Sequence, residues 1–186
     1  MQGFLPVLKV RAAPGHPARG CVIAGPARFP CALGPAGIAT AKREGDGVTP
    51  QGTFAIRRLW RRADRTPRPP TGLPVRTTRP DDGWCDALGH RRYNRRVKRP
   101  FSASHELMWR DDGLYDLVFE LGWNDRPVRA GRGSAIFLHA ARPGFTPTAG
   151  CVALAPAVLK RLAGRIGPRT TIEIGRPVPR PRRRAI

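Results

Sequence analysis

Turn-forming residues interrupt this chain every few positions. Its 186 residues include 21 glycines and 21 prolines, spread in short clusters rather than gathered into one linker. Proline breaks helical hydrogen bonding and glycine weakens it, so few windows remain that could hold a long helix. The chain is therefore expected to be mainly β, built from many short strands joined by turns. Its length suits one domain able to bury a proper core.

Residues 7–10 and 20–24 run apolar or alternate, and Gly25-Pro26 marks a turn before residues 29–33, which predicts a hairpin. Residues 53–59, 114–121 and 135–139 read as further strands, and 170–174 as a closing one. One helix is expected near 156–166, where Pro156 suits the first turn and Val158, Leu159, Leu162 and Ile166 recur at helical spacing. No internal repeat is present. Residues 61–80, rich in Arg and Pro without periodicity, read as an exposed excursion. Residues 176–186, with five Arg and three Pro, read as a basic, disordered tail after a domain spanning about 5–175.

The apolar run Ile136-Phe137-Leu138 ends in His139. Twelve residues later Cys151 follows Gly150, within Thr148-Ala149-Gly150-Cys151-Val152-Ala153-Leu154. A histidine at a rigid strand end and a cysteine at a glycine turn is one way to present a base and a nucleophile, with backbone N–H groups facing the reacting carbonyl. The matching reaction is acyl transfer through a thioester. The competing reading is structural: free cysteine is usually buried filler, and Val152 to Leu154 suit a core strand.

This run resembles the signature of the L,D-transpeptidase catalytic domain (YkuD) family, a His followed after a loop by Ser/Thr-x-Gly-Cys and an apolar residue. The resemblance extends to Phe29–Gly34, Lys42–Phe54 with its Thr49-Pro50-Gln51-Gly52-Thr53-Phe54, Trp84-Cys85-Asp86, Tyr93-Asn94 and Gly131–His139. These segments are similar to those of single-domain bacterial members, and the resemblance covers about residues 5–175.

It implies a β-sandwich-like catalytic domain with one or two short helices. Cys151 would be the nucleophile and His139 its base, the imidazole oriented by a backbone carbonyl, that of Ala140. Backbone N–H groups around Gly150 and Cys151 would hold the oxyanion. The implied substrate is a peptidoglycan stem tetrapeptide, which loses its terminal D-Ala to give a thioester. An acceptor amine would then form a 3-3 cross-link; water instead would make the enzyme an L,D-carboxypeptidase. Thr148, Trp84, Asp86, Tyr93 and Asn94 are candidate groove residues, although Trp84 and Tyr93 read equally well as loop packing. Many members carry His or Arg before the Gly and Arg or Asn shortly after the Cys. Here those positions are Ala149 and Val152-Ala153, so any polar groups serving the substrate come from elsewhere.

The formal net charge of +21 suits attraction to a polyanion: nucleic acid, an anionic membrane, or a wall polymer bearing carboxylates. Arg57-Arg58-Leu59-Trp60-Arg61-Arg62 and Arg91-Arg92-Tyr93-Asn94-Arg95-Arg96 interleave cations with aromatics. No helix-turn-helix, zinc-finger or RNA-binding signature accompanies them, and solvated arginines from a coding bias are the simpler account, so no specific nucleic-acid partner is expected. A basic polyanion-binding protein without catalysis is the reading from another class.

Cys21 and Cys31 would face each other if the hairpin turns about residue 26. Cys85 has only His90 nearby and no Cys-x-x-Cys occurs, so neither metal nor cofactor is expected. Cys151 is expected to stay free. His16 and His90 read as solvated, and His105 as structural or surface. The first residues lack a basic region, a long apolar segment and a cleavage site, and no membrane-spanning run occurs. From the implied substrate the periplasm or cell wall is expected, which calls for a leader ahead of this start or an unconventional export, the other reading being a cytoplasmic precursor or recycled fragment as substrate. A monomer is expected.

Overall fold

The computed structural model describes residues 3–175. The basic tail expected at 176–186 lies outside the described residues. The first strands are β1 (Val7–Ala13), β2 (His16–Ala24), β3 (Ala27–Ala32), β4 (Ile38–Ala39) and β5 (Thr49–Pro50). They are followed by β6 (Gly52–Arg61), β7 (Val75–Thr77), β8 (Asp82–Cys85), β9 (Arg95–Lys98) and β10 (His105–Leu107). Next come β11 (Leu117–Leu121), β12 (Phe137–Ala140), β13 (Val152–Leu154), helix α1 (Pro156–Ala163) and β14 (Thr171–Gly175). The protein is mainly β.

Nine strands form one sheet in the order β11-β12-β13-β3-β2-β1-β14-β6-β7, and β11 also pairs with β6. That last pairing closes the sheet into a barrel-like sandwich, because the long β6 gives its first half to β14 and its second to β11 and β7. Closure gives most strands a partner on each side, leaving few open edges. A second sheet, β10-β8-β9, packs outside.

Alternation along the strands decides what each face carries. Leu138 and Ala140 of β12, Val152 and Leu154 of β13, and Ile172 and Ile174 of β14 point into the main core with Leu8, Val10, Val22 and Leu59. Residues of opposite parity on β12 and β13, namely Phe137, His139 and Ala153, with Cys151 just before β13, face outward. There a second apolar layer of Trp60, Trp84, Met108, Tyr115, Val118 and Phe137 covers Cys151. The site thus lies between two sheets rather than inside the barrel.

Helix α1 is shorter than its periodicity predicts. Gly164 caps it, and Ile166 is fully buried from the turn that follows. Its Leu159 and Leu162 cover the main core, each worth roughly 1.5–3 kcal/mol of burial. Strand β11 begins at Leu117 rather than 114, because Asp112 Oδ1 accepts the Leu114 N–H (3.2 Å) and Gly113 O accepts the Asp116 N–H (3.3 Å). This turn sends Leu114 and Tyr115 toward the site. The stretch 61–80 is more ordered than an exposed excursion, since it supplies β7 and buries Leu73.

The hairpin forms about Gly25-Pro26 as expected, but Cys21 and Cys31 do not face each other. Its register pairs Cys21 with Pro30 and Gly20 with Cys31, one residue off, so the two side chains stand on opposite faces. All four cysteines are free. His105 is half-buried on β10 against Phe101. No helix among the described residues is long and apolar enough to cross a membrane.

Candidate active site

Parallel pairing of β12 with β13 sets Leu138 beside Val152 and His139 beside Ala153. Cys151 therefore stands one pleat from His139 on the same outer face. Ala153, the small residue paired with His139, faces the same side. His139 and Cys151 line one groove of about 380 Å³.

The thiol is held at both ends. Cys151 Sγ accepts the Phe137 N–H (3.3 Å) and donates to the Ala135 carbonyl (3.1 Å). Burial, with the Glu106 carboxylate second, pushes this thiol up to about 12, against smaller opposing effects of the Phe137 N–H and Lys42. His139 Nδ1 lies 2.8 Å from the Ala140 carbonyl, and its ring stands edge-on to Tyr115 at 5.1 Å. A carbonyl can only accept, so Nδ1 carries the proton and Nε2 is left as the basic nitrogen. Burial holds the imidazole down to about 4, with Arg110 and Arg142 adding to the effect. The resting pair is therefore a neutral thiol beside a neutral imidazole.

The turn before Cys151 needs its glycine. Gly150 has φ +134, and a Cβ there would lie 2.7 Å from the Val48 carbonyl. Thr148 Oγ1 donates to the Cys151 carbonyl (2.7 Å) and accepts the Gly150 N–H (3.1 Å). The Gly150 N–H, an expected oxyanion donor, is thus already engaged. Lys42 is nearly fully buried and its Nζ meets Asp46 Oδ1 at 2.6 Å, close beside Gly150.

Of the remaining candidates, Asp86 and Thr148 line the groove. Trp84, Tyr93 and Asn94 do not; all three are buried behind its wall. The Trp84 ring packs edge-to-face on Phe137 (5.2 Å) and its Nε1–H donates to Asn94 Oδ1 (2.9 Å). Asn94 Oδ1 also accepts the Ala135 N–H (3.1 Å), and its Nδ2 donates to the carbonyls of Trp123 and Asn124. Tyr93 donates its hydroxyl to Glu44, which does line the groove. These three residues hold the wall rather than face this groove.

Sequence reasoning missed Lys42, Glu106, Arg110, Tyr115 and Arg142, all groove residues. Tyr115 donates its hydroxyl to Glu106, whose carboxyl is raised by burial. Only Lys42 left a trace, as the first residue of the loop that ends at Thr49-Pro50. Among the described residues no group of three or more His, Cys, Asp or Glu could hold a metal ion.

A closed β domain carrying a histidine and a cysteine on one sheet face, at the floor of a groove of mixed charge, has the layout of an acyl-transfer domain. The model of the L,D-transpeptidase catalytic domain family (YkuD) matches residues 24–174, and the chain belongs to that family, whose members act on peptidoglycan. No curated protein matches the chain.

Proposed function

We propose that the protein is a peptidoglycan L,D-transpeptidase of the periplasm or cell wall, working through a thioester on Cys151. The observation that supports this reading is the fixed imidazole: the Ala140 carbonyl at 2.8 Å holds Nδ1, leaving Nε2 as the basic nitrogen of a ring that lines the same groove as the thiol. Because both groups rest neutral, the proton moves during attack. His139 Nε2 takes the thiol proton as Sγ bonds to the amide carbon ahead of the terminal D-Ala, then gives it to the departing amine. The next amine enters by the reverse sequence, losing its proton to His139 as it displaces Sγ and forms the 3-3 cross-link.

The oxyanion falls to the Cys151 N–H, since Thr148 occupies that of Gly150; one such donor is worth about 3–4 kcal/mol in other enzymes. Lys42, beside the same turn, supplies positive charge that Ala149, Val152 and Ala153 do not. Arg142, at the groove wall, suits the substrate's terminal carboxylate.

Purified protein incubated with muropeptide tetrapeptides should yield dimers, read by mass spectrometry, and Cys151→Ala should yield none. Trimmed tripeptides without dimers would replace this reading by an L,D-carboxypeptidase. Unchanged substrate with the wild type would remove catalysis altogether.

A further inference from the structure

Two sheet edges converge on the far side of Ile136 from the groove. β7 ends the nine-stranded sheet and β9 borders the three-stranded one. Trp60 of β6 packs edge-to-face on Trp84 of β8 at 6.3 Å, drawing the sheets together there. Between them runs a channel with two arms of about 270 and 480 Å³, which share Arg58, Arg76 and Arg96. Arg79 and Lys98 complete one arm; Arg57, Arg95 and Arg126 line the other.

Charged residues often protect sheet edges from association, but that function needs no convergence. Here the register produces it. Arg76 pairs with Trp60 and so shares a face with Arg58, while Arg96 pairs with Trp84 on the opposing sheet. The Arg76 guanidinium lies 4.9 Å from the Trp60 ring centre. Burial holds its pKa below the usual arginine value, and Arg96 is the leading charge acting in the same direction.

Counter-charge is incomplete. Arg57, Arg58, Arg96 and Lys98 pair with Asp125, Glu120, Asp82 and Asp81. Among the described residues Arg76, Arg79, Arg95 and Arg126 have no ion-pair partner. Arg58 Nε is buried 3.2 Å from Glu120 Oε2 without the alignment for a hydrogen bond, and that oxygen already accepts the Trp60 Nε1–H. Crowding like charges in a partly dry cleft costs free energy that a bound anion would relieve.

We propose that this channel is a binding site for a ligand with adjacent phosphate charges, a pyrophosphate or a phosphodiester chain. Guanidinium forks match phosphate oxygens in pairs, and four unpaired cations exceed what a single carboxylate can neutralise. Arms of about 270 and 480 Å³ have room for a compact anion or a short run of one extended strand. The site is separate from the chemistry at Cys151, so it stands whether or not that chemistry is transpeptidation.

The test is calorimetric titration of sodium pyrophosphate and of a short polyglycerol phosphate into wild type, Arg76→Ala/Arg79→Ala and Arg79→Glu at physiological salt. Saturable binding to wild type is expected, weakened at least about tenfold in both variants, while alkylation of Cys151 proceeds equally in all three. Arg79 is exposed, so Arg79→Glu decides the matter if the double variant fails to fold. The tighter of the two probes identifies the ligand source. Absence of saturable binding, equal binding by Arg79→Glu, or tighter binding of citrate or duplex DNA would overturn the assignment.

Discussion

Asn94 holds Ala135 in place: its Oδ1 accepts the Ala135 N–H at 3.1 Å, while the Ala135 carbonyl receives the Cys151 thiol. Both Asn94 (φ +53) and Ala135 (φ +51) sit in the left-handed region. A residue behind the wall thereby fixes the atom against which the Cys151 thiol rests.

Replacing Asn94 by Gly keeps the backbone conformation accessible but removes four hydrogen bonds of a buried side chain. We expect a loss of roughly 3 kcal/mol in denaturant unfolding and slower Cys151 acylation. Stability within about 0.5 kcal/mol of wild type would show that Asn94 does not hold the wall.

The His139 imidazole is held at about 4 in the fold, against about 6.5 in the unfolded chain. Below pH ~6.5 the unfolded state binds a proton that the native state refuses, so stability falls as pH drops and levels off below about 4. The expected loss across that window is about 3 kcal/mol. It should be missing from His139→Gln when the two proteins are unfolded in urea from pH 7 to 4. The imidazole also stays neutral through this window, so if His139 is the base proposed above, acylation of Cys151 should persist at pH 5 in the wild type.

Gly150→Ala would place a methyl 2.7 Å from the Val48 carbonyl at a φ of +134. Strain and overlap together should cost about 3 kcal/mol or more and shift the thiol off the imidazole. A variant that melts with the wild type and acylates at its rate would contradict the geometry of this turn.

Lys42 favours the thiolate of Cys151. Lys42→Met should therefore slow iodoacetamide alkylation of Cys151 several-fold at fixed alkaline pH, and Lys42→Arg should restore part of the rate. Equal rates in all three proteins would confine Lys42 to its ion pair with Asp46.

The β class, the hairpin at Gly25-Pro26 and the closing strand could be read from turn density and alternation, because both are local. His139 and Cys151 were visible for the same reason: they stand twelve positions apart in sequence, His139 on β12 and Cys151 just before the neighbouring β13. The rest of the groove was hidden, since Lys42, Glu106, Tyr115 and Arg142 are brought together by pairings between distant segments. Trp84 and Asn94 pass for groove residues by composition, and only tertiary packing shows them turned inward. Cys21 and Cys31 failed on a single residue of register, which sequence patterning near a tight turn does not fix.

β12 and β13 are interior strands, each hydrogen-bonded on both sides: β12 lies between β11 and β13, and β13 between β12 and β3. Their amides should rank among the slowest to exchange with solvent deuterium, opening only when the whole sheet does. The alignment of His139 with Cys151 then has no local melting of its own. Heat inactivation and global unfolding become one event, and the His139–Cys151 pair lasts as long as the barrel that carries it.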